Sequence, residues 1–146
     1  MRLSILALIL FLSVNAFAQD APTQVNWEQH YKGKPDANAY YKAITYLDFQ
    51  YGYRAEIQGN KLKLSFNFES GINPLKSWHK LDEIPTKAQK DQLLLHEQQH
   101  VNIHFLMAKE ISTTLPNAKY RVSHYKKEIK KLTDSIKQKY QNIQEQ

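Results

Sequence analysis

The sequence predicts an α+β fold: a β-hairpin or small antiparallel sheet packed on an H-E-x-x-H helix, followed by a second long helix. Three observations predict it. Two runs of alternating apolar and polar residues flank Gly59-Asn60. The stretch Leu93 to Ile111, LLLHEQQHVNIHFLMAKEI, is apolar on more than one side and holds His96-Glu97-Gln98-Gln99-His100. Beyond it, Val122, Tyr125, Ile129, Leu132, Ile136, Tyr140 and Ile143 recur at threes and fours, the period of a helix face.

Taken in order, the chain opens with an export signal. Arg2 supplies a positive start, Leu3 to Val14 an apolar core, and Ala16-Phe17-Ala18 an A-x-A cleavage site. Residues 1–18 are therefore read as a signal peptide, with the processed chain beginning at Gln19. The apolar run is short for a bilayer span, and no basic stop follows it. No stable membrane anchor is expected after cleavage. The absence of cysteine excludes a lipid anchor on an N-terminal Cys. The expected location is the periplasm or the outside of the cell.

Residues 19–146 suffice for one compact domain and not two. Without cysteine, a core or a metal must hold it. Asp20 to Asn26 reads as extended, and Trp27 to Asp36 as a loop or short turn anchored by Trp27. Leu47, Phe49, Tyr51, Tyr53, Ala55 and Ile57 alternate with polar residues, and so do Leu62, Leu64, Phe66 and Phe68. Two such runs about Gly59-Asn60 make a hairpin, whose start is expected to reach back toward Ala43 or Ile44. Such a hairpin needs a helix or further strands on its apolar face. Ser70 to Pro85 reads as a linker, with Trp78 available to the core and His79 a surface or supporting histidine. Thr86 with Gln89 resembles a capping box, which starts the first long helix near Lys87. Leu115-Pro116-Asn117 should end it near Ser112 or Thr114. The second helix would pack its stripe on the first helix or the sheet; the competing arrangement is a coiled-coil seam and a dimer.

Charge narrows the function classes. The formal charge of +6 falls to +5 with Arg2 removed, and much of the excess lies between Lys119 and Lys139. These lysines fall between regularly spaced apolar residues, so they read as a solvated helix face and not as a nucleic-acid surface. No G-x-S-x-G, phosphate-binding glycine loop or cysteine nucleophile is present. Asp48 and Glu56 lie on the polar strand face and form no obvious acid–base pair.

The H-E-x-x-H carries the chemistry. Residues four apart on a helix share a face, about 6 Å apart along the axis. His96 and His100 can thus ligate one Zn2+, while Glu97 beside them takes a proton from water. On a polar helix the same letters arise by chance, but this helix reads as buried, and buried histidines and glutamate need partners. The expected reaction is hydrolysis of a peptide or protein substrate, with Glu97 returning the proton to the leaving amine. Tyr125 is one candidate to stabilise the oxyanion. A catalytic zinc takes three protein ligands, and the third is open. His104 lies about 12 Å from His96 along a straight helix and reads as a supporting or exposed histidine. Glu110 would need a bend, and His124 and Glu128 would come from the second helix.

Three segments together resemble a bacterial domain-of-unknown-function family described as secreted zinc-dependent proteases. Trp27 to Asp36, WEQHYKGKPD, resembles its tryptophan-led opening. Ala43-Ile44-Thr45, the hairpin and Lys76-Ser77-Trp78 resemble its alanine-x-threonine segment and following strands. Leu94 to Ile103, LLHEQQHVNI, resembles its HEQ-x-H stretch. The resemblance implies a single zincin-like domain and a zinc peptidase. Val101 and Asn102 stand where the family usually has phenylalanine and aspartate. The family's closing Tyr-Asp-x-Glu-Thr-x-His-Gly-like segment has no counterpart before Gln146. The domain is therefore expected to be C-terminally incomplete, and a non-catalytic zinc-binding protein or a helical interaction module stands as the alternative.

Overall fold

A computed structural model describes residues 20–145. The expected signal peptide and the expected cleavage before Gln19 lie outside the described residues. The fold is α+β, as the patterning predicts. Its order is α1 (Trp27–His30), β1 (Ala43–Ile44), β2 (Leu47–Gln58), β3 (Lys61–Ile72), β4 (Trp78–His79), α2 (Lys87–Asn117) and α3 (Tyr125–Gln144).

The hairpin is β2 against β3, antiparallel from Leu47↔Ile72 to Gln58↔Lys61. Gly59 has φ +62° and is the described residue with positive φ. Positive φ at the first turn position alone is the pattern of a II′ turn, which needs glycine there. Because side chains alternate, Phe49, Tyr51, Tyr53, Leu64, Phe66 and Phe68 share one face. That face packs on Ile111, Leu115, Ile129 and Ile136 of the two long helices. Aromatic pairs fill the contact: Phe66 lies 6.0 Å from Phe68 and 5.9 Å from Tyr53.

Two expectations about the strands are corrected. Ala43 and Ile44 do not extend the hairpin; they pair with Trp78 and His79 in a second two-stranded ladder. The chain is diverted at Tyr46, whose N–H donates to Ser77 Oγ and whose carbonyl accepts from Asn73 N–H, each at 2.8 Å. The expected linker thus supplies the end of β3 and all of β4, and Trp78 is buried. A two-residue strand carries no alternation for a reader to find. Likewise, Trp27 opens a single helical turn, capped by Asn26 Oδ1 accepting from Glu28 and Gln29 N–H. Its ring stacks near Tyr31 at 4.6 Å and His79 at 5.4 Å. Lys80 is buried and makes no ion pair among the described residues. Its Nζ donates to the Ala39 carbonyl at 2.8 Å and the Ala37 carbonyl at 3.3 Å.

Helix α2 begins at Lys87 as expected, with Thr86 Oγ1 accepting from Gln89 N–H at 3.2 Å. It ends later than expected, carrying Pro116 inside its last turn. Three donors satisfy carbonyls of the helix's last turn there. Asn117 Nδ2 donates to Thr113 O, Tyr120 Oη to Leu115 O, and Ala118 N–H to Thr114 O. Leu115 is fully buried, so core packing favours keeping that turn wound. Helix α3 starts at Tyr125 and buries Ile129, Thr133 and Ile136. Tyr125, Ile129, Leu132, Ile136 and Tyr140 of its stripe pack into the core shared with α2 and the hairpin, while Ile143 is exposed. Glu110 Oε2 of α2 fastens the pair, accepting from Lys139 Nζ at 2.6 Å and Tyr140 Oη at 2.7 Å. Both bonds, Lys139 first, hold the Glu110 carboxyl below its ordinary range.

Candidate metal centre

The buried stripe of α2 explains where each motif residue points. Val101, His104, Phe105, Ala108, Ile111 and Leu115 face the core. Continued one turn toward the N-terminus, this face reaches Glu97, which is only 4% exposed. His96 and His100 are each one position off that line and emerge on its shoulder. His96 is exposed and His100 half-buried, so the expectation that both are buried is corrected.

The two imidazoles nevertheless converge. Their Nε2 atoms stand 3.1 Å apart, with ring centroids 4.7 Å apart and planes at 89°. As a bare pair, one Nε2–H donates to the other Nε2. With both protons on Nδ1, the same two lone pairs face one point. Two ligands at about 2.0–2.1 Å in a tetrahedral site lie about 3.3–3.4 Å apart. The pair fits two corners of a zinc tetrahedron with a shift of a few tenths of an ångström.

A third protein donor does not join them. Among the described residues, no group of three or more His, Asp or Glu side chains comes together as a metal cage. Each candidate is engaged elsewhere. His104 is buried, not exposed, and its Nε2 lies 3.1 Å from the Asp48 carbonyl. Desolvation holds the His104 pKa below the ordinary histidine value, against an upward pull from that carbonyl. A neutral ring donating Nε2–H follows. Glu110 is bound to Lys139 and Tyr140, His124 pairs with Ser123 Oγ, and Glu128 with Arg121. Tyr125 stands edge-on to Tyr53 in the core at 6.1 Å and does not line the pocket beside the histidines.

That pocket is open and has a volume of about 340 Å³. It is lined by His96, Glu97 and His100 of the motif turn, by the segment Tyr41–Thr45, and by Leu47, Leu93 and Gln144, the last residue of α3.

Sequence reasoning missed the groups that hold the motif. Glu97 Oε2 accepts from Thr45 N–H at 3.1 Å and from Thr45 Oγ1–H at 2.5 Å. Tyr31 Oη lies 2.5 Å from the same Oγ1. Threonine has one hydroxyl hydrogen, and the carboxylate takes it, so Tyr31 is the donor. Burial, chiefly, pushes the Tyr31 phenol up to about 12, and the Glu97 charge adds to the rise. Gln98, inside the motif, spends its amide on the N-terminal segment: Oε1 accepts from Val25 N–H at 2.7 Å, and Nε2 donates to Thr23 O at 2.9 Å. The one available signal was the Ala43-Ile44-Thr45 segment, singled out by resemblance and not by any chemical pattern.

Fold and site together define an α+β domain with an H-E-x-x-H helix turn set over an open pocket. The chain belongs to the family described as bacterial protein of unknown function (DUF922), whose model matches residues 17–146. No curated protein and no solved structure matches it.

Proposed function

We propose that this protein is an exported, zinc-dependent peptidase in which His96 and His100 hold the metal and Glu97 is the general base. One observation carries the reading: two Nε2 atoms 3.1 Å apart, one helical turn long, beside a buried carboxylate that lines the same pocket. Export is supported by the composition of residues 1–18. A peptide substrate is supported by the open slot's lining, which combines the segment Tyr41–Thr45 with the motif's helix turn. Tyr41, Ile44, Leu47 and Leu93 offer this slot apolar surface.

A zinc ion held by the pair supplies Lewis acidity toward a carbonyl and acidifies water. The chain's own residues do the rest. Glu97 Oε2 is occupied by Thr45, while Oε1 has no hydrogen-bond partner among the described residues. Oε1 therefore takes the proton from water and returns it to the leaving amine.

The second reading is a zinc-binding protein without turnover. It is favoured by the two-histidine donor set, one short of a catalytic site. Metal analysis and hydrolysis of a generic protein substrate separate the two. Zinc bound near one per chain, lost in the His96→Ala, His100→Ala double variant, is expected under both. Hydrolysis that needs zinc and falls by about a hundredfold or more in Glu97→Gln is expected only for the peptidase. Zinc absent after reconstitution ends both readings.

A further inference from the structure

We infer that Thr45 and Tyr31 are positioning residues for Glu97, forming a fixed chain that turns one carboxylate oxygen, Oε1, toward the pocket. The inference rests on the peptidase reading and deepens it.

A carboxylate on a helix can rotate about its last torsions, and its two oxygens are equivalent unless something distinguishes them. Here one residue distinguishes them twice. Thr45 presents its main-chain N–H and its hydroxyl to the same oxygen, Oε2, at 3.1 and 2.5 Å. Two donors from one rigid point fix both the position and the plane of the group. The hydroxyl is itself a rotor with one hydrogen. Tyr31 Oη, 2.5 Å away, donates into its lone pair and leaves the Thr45 hydrogen aimed at Glu97. Tyr31 is buried and held against Trp27, whose ring stands 4.6 Å from it, so the donor does not wander. The chain Tyr31→Thr45→Glu97 links three places in sequence, with separations of 14 and 52 residues.

The main chain also explains why Thr45 stands where it does. It follows β1 directly, and the next residue, Tyr46, is tied through N–H and carbonyl to Ser77 and Asn73. Thr45 is thus held from behind while it faces α2. Strand β1 lines the pocket through Ala43 and Ile44, and its ladder with β4, like the Trp27–Tyr31 turn, also holds this threonine and this phenol. Neither Thr45 nor Tyr31 touches the reacting atoms in this arrangement. Their effect passes through the orientation of Glu97.

Three variants of the full zinc-loaded protein test it: Thr45→Val, Thr45→Ser and Tyr31→Phe. Valine keeps the branched shape and the N–H donor and puts a methyl in place of the hydroxyl. Zinc-dependent hydrolysis is followed with kcat and KM separated, and zinc content is measured on each. The expected result is a kcat about ten- to a hundredfold lower in Thr45→Val, a smaller drop in Tyr31→Phe, and recovery in Thr45→Ser. KM and zinc content stay near wild type in all three. A second readout does not use turnover. In a double-mutant cycle of unfolding, Thr45→Val and Glu97→Gln are expected to be non-additive, because they remove two ends of one bond. Unchanged kcat in Thr45→Val with an active wild type overturns the positioning role and leaves the peptidase reading standing. Additive unfolding effects overturn the bond itself. A wild type with bound zinc and no hydrolysis overturns the peptidase reading, and the positioning role with it.

Discussion

His104 offers a sharp test of how α2 is built. It lies on the buried stripe, 9% exposed, with Nε2 bound to the Asp48 carbonyl of β2. Desolvation is the main cause that depresses its folded pKa below 6.5. The sign follows directly. With the folded value below the unfolded one, the unfolded chain binds the proton more readily as pH falls. The stabilising contribution of the neutral ring is therefore complete above about 6.5 and is lost as pH drops toward the folded value. One histidine can remove no more than about 1.4 kcal/mol per pH unit. Between about pH 7 and about pH 5.5, the ceiling for one group with an unfolded value of 6.5 is about 1.2 kcal/mol. The other histidines also titrate in this window, so a difference is needed. His104→Gln keeps an amide donor for Asp48 O and cannot titrate. Urea unfolding followed by circular dichroism, run on both proteins at the two pH values, isolates the term. Wild type should lose up to that ceiling more than His104→Gln. Identical pH dependence in the two proteins refutes a buried neutral His104. Zinc content should be the same in both, because His104 is spent on the strand.

Three further outcomes are expected. Ile111→Ala, at the point where the hairpin meets both helices and with no exposed surface, should cost about 2–5 kcal/mol in urea unfolding. Gly33→Ala places a Cβ 2.7 Å from Leu75 O and 2.8 Å from Ser77 O, both main-chain atoms, and should cost about 1–3 kcal/mol by the same measurement. Gln98→Ala removes the acceptor of Val25 N–H, so amide exchange at Val25 should speed up by about tenfold, with exchange in α3 unchanged.

The parts of the fold that could be read in advance are those held by local rules. The hairpin shows in period two because one face is wet and the other packs on helices. The start of α2 shows because Thr86 and Gln89 are three apart. The histidine pair shows because four residues make one turn. His104 could also have been placed: the stripe through Val101, Ala108, Ile111 and Leu115 runs through it. The same stripe run backward reaches Glu97 and leaves His96 in solvent. What could not be read is long-range and unpatterned. Thr45 meets Glu97 across 52 residues, and nothing in the letters around either announces the other. The β1–β4 ladder is two residues long and has no period. Pro116 reads as a stop, and only the burial of Leu115 and three side- and main-chain donors show why the helix runs past it.

Lys80 has a consequence for the mouth of the slot. Its amide reaches the Lys42 carbonyl at 2.7 Å, and its ammonium reaches Ala37 and Ala39. One residue thus holds both ends of the short loop that bears Tyr40 and Tyr41, one through its main chain and the other through its side chain; the two tyrosines are 93% and 65% exposed. Acylating that one amine is expected to free the Ala37–Ala39 end, while the main-chain bond to Lys42 keeps the other. The tether bears on the histidines because Tyr41, at the held end, lines their pocket.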